Sequence, residues 1–266
     1  IWNRGKQKMK LVVSDLDGTL LDTKSQITDY TKSIIKKLVN NGIEFAIATG
    51  RGPASAIKLK KDIGLDIYLI CNNGANIYDK KENSIFEKVI DKKISQNIIK
   101  LLRDRKVAYN GFIDDDFYRD EYDKTDYSRR TDFIEHILGD IEECPALHKI
   151  IIVEEADIIL RINKELREKF SNVVEITISD PECIDIVPKE CSKGNALKII
   201  AQQLGIEMER VMAFGDGEND LDMLKKVGHP VAMENAQDIV KKEINNTAPK
   251  NIENGVALYL EKFFKL

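Results

Sequence analysis

The stretch Lys10-Leu11-Val12-Val13-Ser14-Asp15-Leu16-Asp17-Gly18-Thr19-Leu20 decides the fold. Its short apolar run, Leu11-Val12-Val13, is bounded by Asp15 and Gly18 and reads as a buried strand. Downstream, Tyr30, Ile34, Ile35, Leu38 and Val39 recur at helical spacing between Thr28 and Asn41, and Gly42 supplies a C-terminal stop. Ile43–Ala48 is a second buried strand, Pro53 opens a helix that Gly64 closes, and Ile67–Cys71 is a third strand ending in the turn Asn72-Asn73-Gly74. Strand, helix, strand, helix, strand predicts a parallel sheet with crossover helices.

The C-terminal part repeats this grammar. Ser192 caps a helix from Lys193 to Leu204 that stops at Gly205; Val211–Phe214 is a strand, Glu218–Val227 a helix, Pro230–Met233 a strand and Gly255–Phe264 a last helix. The middle, from about Asp79 to Val187, is richer in charge. Strands are expected at Val107–Ile113, Lys149–Val153, Val173–Ile178 and Cys183–Val187, and helices at Ile94–Arg103, Asp132–Leu138 and Lys164–Phe170. The fold class is therefore α/β, a Rossmann-like parallel-sheet core interrupted by an α+β module. The expected core is 9–80 with 188–266, and the inserted module 81–187. Residues 1–8, which precede Met9, read as a segment foreign to the natural chain.

Composition bounds the function. The chain has 266 residues, 42% of them hydrophobic, which excludes a mainly disordered chain. With 41 Lys+Arg against 45 Asp+Glu, the net charge of −4 argues against nucleic-acid binding by general basicity. Apolar runs such as Ile150–Val153 fall far short of the roughly 18 residues that span a bilayer, so a soluble, cytoplasmic protein with no membrane partner is expected. Cys71, Cys144, Cys183 and Cys191 form no CxxC pair, and His136, His148 and His229 are scattered, which predicts reduced thiols and no zinc.

Two acidic clusters follow predicted strands directly. Asp15 and Asp17 stand one residue apart with Gly18 freeing the turn, and Asp216 and Asp220 stand four apart in Gly215-Asp216-Gly217-Glu218-Asn219-Asp220. The carboxyl edge of an open α/β sheet is where ligands bind. An EF-hand is excluded, because counting from Asp216 puts Leu221 where the loop needs Gly and Val227 where it needs Glu. Acids at two strand tips suggest Mg²⁺, with carboxylates, waters and a phosphate oxygen around it. Thr49 at the second strand's end, beside the N–H groups of Gly50 and Arg51, and Lys193 in a first helical turn are suitable partners for a phosphate.

Asp15-x-Asp17-Gly18-Thr19-Leu20, Thr49 in Ala48-Thr49-Gly50-Arg51, Lys193 in Ser192-Lys193-Gly194, and Gly215–Asp220 resemble the four ordered motifs of the haloacid dehalogenase (HAD) superfamily. More closely, the chain resembles the Cof-type, class IIB sugar-phosphate phosphatases. The turn Asn73-Gly74-Ala75 and Val231-Ala232-Met233-Glu234-Asn235-Ala236 look like that branch, although Glu234 stands where its members often carry Gly. The resemblance spans Met9 to Leu266 and implies a HAD core with an inserted cap.

It also implies a phosphoric monoester hydrolase that works through an aspartyl-phosphate. Asp15 is then the nucleophile and Asp17 the acid/base. Mg²⁺ is held by Asp15, the Asp17 carbonyl and Asp216, with Asp220 close behind. Thr49 and Lys193 act on the transferring oxygens, with Leu16, Gly50, Arg51 and Asn219 on the phosphate side, Asn219 fixing phosphate or orienting Lys193. The implied partner is a small phosphorylated metabolite, and the expected assembly a monomer or small homo-oligomer. Asp17 separates the chain from P-type ATPases, which lack the second acid. A response-regulator receiver needs only about half this length. A phosphomutase of the same superfamily, or a silent phosphosugar-binding protein, stays open. In the cap, Asp114-Asp115-Asp116-Phe117-Tyr118-Arg119-Asp120-Glu121 reads as a solvated loop or, with Tyr118 or Arg119 touching the sugar, as a lip.

Overall fold

The computed structural model describes residues 9–114, 116–120 and 134–266; residues 1–8, expected to be foreign, lie outside them. β1 (Leu11–Ser14) is buried at all four positions. It leads through an irregular turn, Leu16–Leu20, to α1 (Asp29–Asn40), whose N-cap Thr28 accepts from the Thr31 N–H. β2 (Glu44–Ala48), α2 (Pro53–Ile63, closed by a left-handed Gly64) and β3 (Tyr68–Cys71) complete the first crossover units. β4 (Asn76–Tyr78) and β5 (Ser84–Glu87) then return antiparallel.

The chain next builds a second unit from α3 (Lys92–Asp104), β6 (Asn110–Ile113), β7 (Asp116–Arg119), β8 (Ile134–Ile137), β9 (Lys149–Val153), α4 (Ala156–Phe170), β10 (Val174–Asp180) and β11 (Cys183–Pro188). It re-enters the first unit through α5 (Lys193–Gln203), β12 (Val211–Gly215), α6 (Leu221–Lys226), β13 (His229–Met233), α7 (Asp238–Glu243), β14 (Thr247–Ala248) and α8 (Gly255–Phe264).

The larger sheet has the order β14-β13-β12-β1-β2-β3-β4-β5, parallel from β14 to β3, so β1 sits near its centre. That position explains the apolar run Leu11–Val13: both faces of the strand are covered, and period-2 alternation has no place there. The smaller sheet runs β10-β11-β9-β6-β7-β8. Ile150, Ile152, Ile184 and Ile186, all fully buried, form one of its faces and join a core with Ile98 and Leu102 of α3 and Ile159 and Leu166 of α4.

Sheet membership changes near the expected boundaries, not at them. β5 extends the larger sheet to Glu87, and Pro188 still pairs in the smaller one. The β4–β5 hairpin was hidden by the brevity of β4, three residues long. Where a helix was expected at Asp132–Leu138, residues 134–137 form strand β8. Parallel pairing with β7 overrides the helical spacing of Ile134 and Leu138: His136 stacks on Tyr118 at 4.7 Å and Glu135 pairs with Arg119.

Two chain passes join the units, and Lys88 of the first donates to the Lys189 carbonyl of the second at 2.7 Å. Beside them His148, fully buried, meets Glu87 Oε1 at 2.8 Å through Nε2 and accepts the Asp114 N–H at Nδ1. The smaller unit closes on the larger one as a cap: Gln237 donates to the Ser179 carbonyl at 3.0 Å and Lys149 to the Gly50 carbonyl at 2.9 Å.

Candidate active site

β1, β2 and β12 deliver Asp15, Thr49 and Asp216 to one edge because they run parallel and in step, with Ser14 beside both Ile47 and Phe214. α5 adds Lys193 from its first residue. Ser192 Oγ caps that helix by accepting the Asn195 N–H at 3.0 Å, which fixes where the lysine stem starts.

Lys193 is buried and its Nζ bridges Asp15 Oδ1 at 2.7 Å and Asp220 Oδ1 at 2.6 Å. Burial works against its charge, yet Asp15 and Asp220 together outweigh it and hold the ammonium above the ordinary lysine range. Burial, then the neighbouring Asp220 and Asp216, push Asp15 well above the ordinary carboxylate range, with Lys193 opposing. Asp216 rises to about 6, chiefly by burial and the charge of Asp220, although Thr19 Oγ1 donates to its Oδ1 at 2.6 Å. One ammonium among three acids leaves excess negative charge.

A divalent cation fits that excess. Asp15, Asp216 and Asp220 each offer an oxygen within 4.8 Å of the others, all hard donors of the kind Mg²⁺ takes. Gly18 keeps the place open: its φ is +79°, and a Cβ there would lie 2.3 Å from Asp216 Oδ2. Asp220 is the most committed of the three acids. Its Oδ1 takes Lys193, and its Oδ2 accepts the N–H groups of Asp216 at 2.9 Å and Gly217 at 3.0 Å, so it shapes the loop as much as it could bind an ion. The Asp17 carboxylate is outside this group. It is turned to Arg51, which grips it with Nε and Nη2.

The other expected residues are placed as follows. Thr49 is fully buried and its Oγ1 accepts the Arg51 N–H at 3.1 Å, so that N–H is taken. The Leu16 side chain is in the core, leaving its main chain at the strand tip. Asn219 donates to Asn73 Oδ1 at 3.2 Å and does not orient Lys193, which the two acids already hold. Tyr118 and Arg119 face His136 and Glu135 within the cap and do not line the cleft, so the lip reading is not realised among the described residues; Asp115 and Glu121 lie outside them.

A cavity of about 830 Å³ lies between cap and core, lined by Asp15, Asp17, Arg51 and Asp216 below and by Phe112, Lys149 and Asp185 above. Sequence reasoning passed over Lys149 and Asp185. Their signal was an acid and a base at strand positions among isoleucines, Lys149-Ile150 and Ile184-Asp185-Ile186.

A parallel α/β sheet with a buried Asp–Lys pair and a group of acids at its carboxyl edge is an arrangement that phosphoryl transfer can use. The family model of haloacid dehalogenase-like hydrolases matches residues 12–260, and the chain belongs to that family. It is 33% identical to a 5-amino-6-(5-phospho-D-ribitylamino)uracil phosphatase of Bacillus subtilis, over 94% of this chain and 93% of that one. An HMP-PP phosphatase of Serratia proteamaculans is 29% identical over 85% and 84%. The fold is shared with a HAD subclass IIB sugar phosphatase at a TM-score of 0.84 and 22% identity, covering 97% of this chain and 100% of the other. The protein is a phosphatase. Among the described residues no helix is long and apolar enough to cross a membrane.

Proposed function

We propose that this phosphatase is Mg²⁺-dependent and hydrolyses small phosphomonoesters, sugar phosphates foremost, through an aspartyl-phosphate on Asp15. The observation that carries the reading is the buried Asp15–Lys193–Asp220 bridge at the floor of a capped cavity. Asp15, the Asp17 carbonyl and Asp216 are the Mg²⁺ ligands in this reading, with Asp220 behind them; the ion supplies charge neutralisation on the transferring phosphoryl group.

An Asp15 oxygen bonds to phosphorus as the ester P–O bond breaks, and Asp17 gives its proton to the departing alkoxide. Asp17 then takes a proton from water, whose oxygen bonds to phosphorus while the bond to Asp15 breaks, releasing inorganic phosphate. Lys193 and the Thr49 hydroxyl bind the phosphoryl oxygens; the Arg51 N–H on Thr49 Oγ1 leaves that hydroxyl its proton to donate. The cap keeps bulk water from the first step.

The test is turnover of a panel of phosphorylated metabolites with and without EDTA, beside Asp15→Asn. Turnover should vanish in the variant, with unchanged circular dichroism, and a phosphoryl adduct should be found on the wild-type Asp15 peptide after acid quench. Undiminished turnover in Asp15→Asn would refute the nucleophile.

A further inference from the structure

The cap sheet shows the cavity a face that packing alone does not explain. In the register of the sheet, Phe112 pairs with Lys149 and Asp185 with Ile151, so these four side chains share the face opposite the buried isoleucines. All four line the cavity. Lys149 Nζ and Asp185 Oδ1 meet at 2.7 Å with side chains only 4% and 5% exposed. A buried ion pair is seldom the most stabilising choice for a sheet face, where apolar residues of similar volume serve as well or better.

The pair is not saturated. Lys149 Nζ donates one proton to the Gly50 carbonyl at 2.9 Å and faces Asp185 as an ion pair at 2.7 Å, with donor capacity to spare. Asp185 accepts Asn73 Nδ2 on Oδ2 at 2.8 Å and keeps acceptor capacity on both oxygens. One spare donor beside spare acceptors matches a hydroxyl group, which accepts and donates at once. Charge points the same way: Lys149 is balanced by Asp185, Arg51 is paired with Asp17, and Asp180 adds a further carboxylate to the cap wall. Among the described lining residues the cations are Arg51 and Lys149, and each already faces a carboxylate.

We infer that Lys149 and Asp185 are specificity-determining residues, holding a hydroxyl of the organic part of the ester and excluding substrates with a second phosphate. The inference rests on the phosphatase reading above. Phe112 and Ile151 give the carbon skeleton an apolar surface between these polar groups. Lys149 also joins this subsite to the catalytic loop, since its Gly50 contact is one residue from Thr49.

The experiment compares kcat/KM for glucose 6-phosphate, ribose 5-phosphate, glucose 1,6-bisphosphate and p-nitrophenyl phosphate, in wild type and Asp185→Asn, with Mg²⁺ present. In wild type each sugar monophosphate should exceed the bisphosphate by about tenfold or more. In Asp185→Asn the ratio of either sugar monophosphate to p-nitrophenyl phosphate should fall at least about tenfold, the loss of one charge-assisted hydrogen bond. A proportional fall on all four esters, or a wild type that accepts the bisphosphate as well as the monophosphates, would overturn the inference and leave the phosphatase reading standing. If Asp185→Asn does not fold, Lys149→Met carries the same comparison, with the same fall in the ratio expected and the same proportional fall overturning the inference. No hydrolysis of any ester by wild type would remove both readings.

Discussion

The Arg51 guanidinium closes on the Asp17 carboxylate as a two-point fork, Nε to Oδ2 at 2.8 Å and Nη2 to Oδ1 at 2.5 Å. The acid/base proposed for the reaction is thus aimed by a residue two positions past Thr49. Arg51→Met should lower kcat about tenfold with a smaller change in KM, and Arg51→Lys, which keeps the charge without the fork, should recover only part. Steady-state kinetics on one ester checks this; an effect confined to KM would place Arg51 on the substrate instead.

Gly18→Ala introduces a methyl 2.3 Å from Asp216 Oδ2, at a φ of +79° that alanine resists. The carboxylate has to move, so the Mg²⁺ concentration giving half-maximal activity should rise about 10–100-fold. Titration of activity against Mg²⁺ measures it, and an unchanged midpoint would remove Asp216 from the ion's ligands.

Lys193→Met leaves Asp15 and Asp220 buried without their shared ammonium. Breaking a buried ion pair from one side costs about 3–5 kcal/mol. Urea unfolding in EDTA should show a loss of that order, and millimolar Mg²⁺ should restore part of it by supplying charge to the same acids. Equal midpoints for variant and wild type in EDTA would contradict the bridge.

His229 carries a pH prediction away from the cleft. Burial against Tyr259 and Phe263 depresses its imidazole below the ordinary 6.5. Below 6.5 the unfolded chain therefore binds more protons at this residue than the folded one, and the residue's contribution to stability falls as pH falls through that value. His229→Gln should flatten this part of the curve. The difference in thermal midpoint between wild type and variant, measured at pH 7.5 and 5.5, should shift against wild type at the lower pH.

Much of the core was legible in the sequence. Leu11–Val13, Phe45–Ala48 and Val211–Phe214 are apolar because their strands are covered on both faces, and the acids that end two of them are what the ligand edge requires. Less visible was whatever depends on partners distant in the chain. Ile134–Ile137 has the spacing of a helix and becomes a strand only because β7 lies beside it. The Lys149–Asp185 pair is 36 positions apart in sequence and has no local pattern; only the register of β9 and β11 brings its members to one face. Asp17 and Asp220 follow β1 and β12 at the carboxyl edge of the sheet, but their hydrogen bonds to Arg51 and to the Asp216–Gly217 backbone are matters of rotamer, which spacing does not encode.

The clip between Lys88 and the Lys189 carbonyl ties outgoing and returning tethers at one point. That tie lies outside the cavity lining, so changes among the lining residues leave the join between the two units as it is. What is recognised can therefore diverge among descendants of this architecture while the machinery that cuts is inherited intact.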